Sequence, residues 1–174
     1  MRRLYESDAV ERDDDSAFVP GSREDASRSH VDFGKLSHAL VPMRLRPRAI
    51  TVAVETSQDS YARGERVPFR VHLTNRYPIP IVLRTVSPVR WSWAVDGVER
   101  ASHVPDADPP DRATLLEFSG RETKIFERSW SGKIRQTETD WETIDRGTHT
   151  LEAWVNVDDP EGDALRAETA FRVE

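Results

Sequence analysis

From Ile50 onward, apolar and polar side chains alternate with a period of two, the pattern of strands with one buried face. ITVAVETS sets Ile50, Val52 and Val54 on one side. RVPFRVHLTN turns Val67, Phe69, Val71 and Leu73 inward and Arg70, His72 and Thr74 outward. The polar run SQDSYARGER between them reads as a turn region. In NRYPIPIVLR, Pro78 and Pro80 cannot donate to a ladder, which confines the segment to a sheet edge or a strand start. RWSWAVDGVERA points Trp91, Trp93 and Val95 inward, and Asp96-Gly97 is a two-residue hairpin signal. SHVPDADPPDR is a loop, because its prolines forbid regular pairing. ATLLEFSG and RETKIFERSW give two more strands, joined at Ser119-Gly120. TLEAWVNV aligns Leu151, Ala153, Val155 and Val157; after the turn DDPEGD, LRAETAFRVE aligns Leu165, Ala167, Thr169, Phe171 and Val173. Roughly seven to nine short strands with regular turns predict an all-β, antiparallel sandwich over residues 50–174.

The first 49 residues lack this pattern. Residues 1–31 are charged and poor in aromatics, as in ERDDDS and GSREDASRS. Such a stretch buries too little to offset chain entropy, which predicts a disordered tail. Residues 32–49 read as a linker with a short helix whose apolar face is Phe33, Leu36, Leu40 and Met43; Pro42 bears on its end. RLRPR, at 44–48, reads as a solvated part of that linker, since no aromatics interleave its arginines for nucleic-acid stacking.

Charge sharpens this division. Residues 1–49 are neutral in sum, so the whole net charge of -6 falls on residues 50–174. An acidic body disfavours non-specific nucleic-acid binding, which rests on phosphate neutralisation. With 0 Cys, disulfide and thiolate chemistry are excluded. Arginine is far commoner than lysine, and the composition resembles that of salt-adapted, halophilic proteins. The N-terminal residues have no apolar segment of secretory type, and no run approaches the ~18 apolar residues of a membrane span. A cytoplasmic location without membrane insertion is the expectation.

Candidate chemistry is sparse. The five histidines, at 30, 38, 72, 103 and 149, form no zinc motif. The loop brings His103, Pro105, Asp106, Asp108, Pro109, Pro110 and Asp111 together. Oxygen ligands at alternate positions are the chemistry of calcium, but the EF-hand spacing and its glycine are missing. A stiff proline-rich loop loses little entropy on binding, which makes a recognition loop the better expectation. No phosphate-cradling glycine run and no nucleophile with a base beside it appear, so neither catalysis nor a cofactor is implied.

His149, in DRGTHTLEAWV, is the remaining candidate. In immunoglobulin-like sandwiches an aromatic residue near the start of a late strand bonds back across the corner from its tip. An imidazole can do the same with a ring nitrogen, so a fastening role is expected rather than a ligand or base. The stretch from Trp130 to Val155 resembles the later half of the intracellular proteinase inhibitor (BsuPI-like) domain. Trp130 and Gly132 stand at its W-x-G, and Gly147, His149 and Leu151 stand at its G-x-Y-x-L, with His for Tyr. RVHLTNRYPIPIVL resembles its strand, Asn, loop and strand passage; RWSWAVDG, with Trp91 and Trp93, resembles its strand ending in a Gly turn.

The resemblance covers residues 50–174 and implies an immunoglobulin-like sandwich in which these positions are structural. The leading expectation is a non-catalytic cytoplasmic module that binds an unidentified protein partner, not a specific nucleic acid. The alternatives are an inhibitor of an intracellular protease acting through an exposed loop, and a metal-binding protein or enzyme using His103 and the aspartates of 106–111.

Overall fold

The computed structural model describes residues 46–105, 112–157 and 165–174. The predicted tail, the linker helix, the turn after Val157 and loop residues 106–111 lie outside the described residues. Of the linker, Pro47–Ala49 form one 3-10 turn that leads straight into the first strand.

Strands are numbered in chain order. One sheet has the order β1 (Ile50–Thr56), β3 (Val67–Asn75) and β8 (Thr123–Trp130), all antiparallel. The other has the order β2 (Ser60–Tyr61), β12 (Arg166–Val173), β11 (Gly147–Val155), β5 (Trp91–Val95) and β6 (Val98–Glu99). Its pairs are antiparallel, except that β2 runs parallel to β12. β4 (Ile81–Thr85) pairs with β7 (Thr114–Phe118), and β9 (Lys133–Arg135) pairs with β10 (Trp141–Thr143). This order, with β1, β3 and β8 in one sheet and β5, β11 and β12 in the other, is that of an immunoglobulin-like sandwich.

Register explains the core. Val54 pairs with Val71, and Val71 with Phe126, so one inward row crosses all three strands of the first sheet. Facing it, Ala153 pairs with Trp93 and Val155 with Trp91. Ring contacts join the two layers, with centroids 5.2 Å apart for both Phe69–Trp93 and Trp91–Phe126. Phe69, Val71, Leu73, Leu151 and Ala153 are fully enclosed. Each such large aliphatic or aromatic side chain contributes about 1.5–3 kcal/mol of transfer free energy.

Every segment that periodicity marks as a strand forms one, and β4 begins directly after Pro80. Asp96 (φ 49°) and Gly97 (φ 79°) make the tight turn between β5 and β6, both in the left-handed region that a type I′ hairpin requires.

Three details differ from the sequence reading. Ser92 and Ala94, on the supposed outer face of β5, are buried; the Ser92 hydroxyl donates to Glu99, which keeps its burial inexpensive. The stretch between Gly132 and Gly147, for which periodicity marks no strand, contains the β9–β10 hairpin. Finally, β7 and β8 are consecutive but do not pair: β7 joins β4, while β8 joins β3. Among the described residues β8 therefore has one sheet neighbour, and the side of the sandwich beside it is open.

Candidate recognition surfaces

His103 follows a turn in which Arg100 (φ 50°) and Ala101 (φ 51°) are left-handed. Its segment lies along β9: the His103 amide donates to Arg135 O and the Arg135 amide to Ala101 O, both at 2.8 Å. Ser102 and Val104 close a local turn through the serine hydroxyl. His103 and Pro105 are exposed, whereas Asp106, Asp108, Pro109, Pro110 and Asp111 are outside the described residues. Among the described residues no three His, Asp or Glu side chains converge as metal ligands would. Beside this segment Trp141 on β10 is 50% exposed, with the Arg135 guanidinium 5.7 Å over its ring.

His149 lies near the start of β11, its side chain 12% exposed. Nε2 is 2.9 Å from Asp145 O, four residues upstream, and Nδ1 is 2.7 Å from Asp96 Oδ2 in the β5–β6 turn. A carbonyl oxygen can only accept, so the Nε2–H donates to Asp145 O. The other Asp96 oxygen accepts the Thr150 amide at 2.9 Å. The ring packs on Phe171 across the β11–β12 pair. The arrangement fastens a strand start to a hairpin turn, and no nucleophile stands within it.

Trp130 ends β8 almost fully buried, its indole N–H donating to Lys133 O at 2.7 Å and its ring edge-on to Phe171. Gly132 follows at φ 71°, where a Cβ would lie 2.5 Å from Glu65 O. The chain there has room for glycine only.

The largest concavity among those described was not anticipated as a site. It is an open groove of about 820 Å3 lined by residues of β5, β7 and β8. Trp91 and Trp93 of β5 and Phe126 of β8 form its floor, and Arg90, Lys124 and Arg128 stand on its walls. Register accounts for this. Lys124, Phe126 and Arg128 pair with Leu73, Val71 and Phe69, so all three point to the inner side of the first sheet. They face β5 of the second sheet, and Leu115, Leu116 and Glu117 of β7 flank the groove.

The Arg128 guanidinium stacks over Trp91 at 5.4 Å, and Lys124 pairs with Glu122 at 2.7 Å. That lysine, with help from the Ser119 amide, holds the Glu122 carboxyl below its ordinary range. Glu117 is the one carboxylate lining the groove, which also takes in Arg100. Among the described residues, the Trp130 indole N–H has a hydrogen-bond partner, whereas the Trp91 and Trp93 indole N–H groups have none. The sequence did carry a signal: Lys, Phe and Arg occupy three successive inward positions of one strand, where a closed core would hold only apolar side chains.

No helix among the described residues is long and apolar enough to cross a membrane. The model of a family of unknown function, DUF7974, matches residues 38–174. No curated protein matches the chain. Among solved structures, the chain is similar to the CARDB domain of a Pyrococcus furiosus protein, in complex with di-metal ions. Identity is 13% over 71% of this chain and 91% of that one, with a TM-score of 0.43. It is also similar to the Pseudomonas fluorescens alkylpurine DNA glycosylase AlkC bound to DNA, at 17% identity over 72% of this chain and 30% of that one, with a TM-score of 0.41. A β-glucosidase of Erythrobacter marinus matches at 10% identity over 72% of this chain and 15% of that one, with a TM-score of 0.44.

Proposed function

We propose that this chain, which belongs to the DUF7974 family, is a non-catalytic cytoplasmic module that binds a protein partner in the groove between β5 and β8. One observation carries the reading. Aromatic rings and cationic side chains share an open concavity on an otherwise acidic body. Tryptophan and arginine are the residue types that dominate binding hot spots, because they combine large contact area with donors. An enzyme needs paired acid–base groups or a nucleophile, and the groove supplies neither.

A pull-down with the full chain tests this reading. The wild type captures a protein at fixed stoichiometry, and the doubly reversed variant Arg90→Glu/Arg128→Glu captures at least tenfold less while melting at a similar temperature. Both side chains lie on the groove wall, where substitutions cost little stability. Equal capture by both proteins would put the partner elsewhere.

A second reading follows from the exposed chain at His103–Pro105 beside the half-exposed Trp141. In it the module inhibits an intracellular protease, as the BsuPI-like resemblance implies, and the contact lies at that loop and the β9–β10 hairpin. The two readings differ in which face the partner covers.

A further inference from the structure

We infer that the occupant of the groove is an extended, acidic peptide segment that lies along the free edge of β8 and lowers an aromatic or large apolar side chain onto Trp91, Trp93 and Phe126. This rests on the proposed function and names the chemistry of the partner.

Three features point the same way. The first is backbone. Among the described residues β8 pairs only with β3, so its other edge offers amides and carbonyls to an added strand. β-Strand addition takes affinity from those main-chain bonds and specificity from pockets for alternate side chains. The groove is such a pocket, opening beside β8 on the side its inward residues face.

The second is charge. Arg90 and Arg128 bring two fixed positive charges to a body whose residues 50–174 carry -6. Arg100 and Lys124 line the groove too, and Lys124 is already paired with Glu122. A local positive potential on a negative molecule attracts an acidic segment and repels a basic one. A polynucleotide is disfavoured, because its phosphates beyond the groove would meet the acidic surface.

The third is the floor. Three rings at partial burial give an apolar contact that persists when salt screens the arginines, and the Trp91 and Trp93 indole N–H groups have no partner among the described residues.

The test is selection of displayed random dodecapeptides on immobilised full-length chain, with counter-selection on Arg90→Glu/Arg128→Glu. The enriched sequences are expected to be rich in Asp and Glu and to carry an aromatic or large apolar residue. A synthetic peptide of the enriched sequence should bind at least tenfold more weakly to the double variant, and more weakly as salt rises.

Enrichment of neutral or basic sequences, or no selective enrichment, overturns the inference. Enrichment indifferent to the variant does the same. So does tighter binding of a fluorescent dT oligonucleotide than of any peptide, or a dimer of the chain that the double variant breaks, since a second copy would then fill the groove. If the variant loses its captured protein but selection returns no acidic peptides, the proposed function stands and this inference falls.

Discussion

Asn75→Ala lowers the stability of the body by about 3 kcal/mol or more, read from urea or thermal unfolding of the full chain. Asn75 ends β3 at 0% exposure, and its side chain is a hub. The amide nitrogen donates to Ile79 O and Ser119 O, both at 2.8 Å, and the oxygen accepts the Tyr77 amide at 3.0 Å. These bonds tie the turn before β4 to the turn before β8. The two turns touch so closely there that a Cβ on Gly120 would lie 2.1 Å from Pro78 O. Alanine removes three part-buried hydrogen bonds at once, each contributing about 0.5–1.5 kcal/mol. A total near 3 kcal/mol is a large part of the ~5–15 kcal/mol by which such domains are stable. Asn75→Asp destabilises at least as much, because it sets a carboxylate against two carbonyl oxygens. A loss under about 1 kcal/mol would mean that the turns hold each other without the side chain.

Trp130→Ala costs about 3–5 kcal/mol, measured in the same way. The indole is 4% exposed and packs against Phe171 of the opposite sheet with centroids 6.1 Å apart. Its removal opens a cavity between sheets and frees Lys133 O. Trp130→Phe separates these effects: it keeps much of the packing and loses the hydrogen bond, for which about 1–2 kcal/mol is expected. If alanine and phenylalanine cost the same, the ring's packing against the other sheet is not what holds this end of β8.

The strands were legible because period-two alternation reports burial directly, and Asp96-Gly97 was legible because few residues adopt paired positive φ. Pairing was not legible. Periodicity says that Leu116 and Phe118 face inward, but not that β7 chooses β4 over β8, and that choice opens the groove. Trp91 and Trp93 were read as interior from their alternation. They do face inward, yet they meet an open side and end partly buried.

For the same reason alternation alone does not single out Lys124 and Arg128 as groove residues. The GTHTL motif pointed to a corner bond at His149, and the Asp145 carbonyl four residues upstream is where such a bond ends. Its second partner, Asp96, lies 53 residues away in sequence, and no local pattern encodes it. Trp141 was passed over because periodicity marks no strand in the hairpin that displays it.

Amide hydrogen exchange on the full chain, free and with its captured partner bound, tests most directly where this module makes contact. Protection is expected along residues 89–93, 115–117 and 123–129, which line the groove. Protection confined to residues 102–105 and 133–143, with β8 exchanging as in the free chain, would contradict the account and move the contact to the loop beside Trp141.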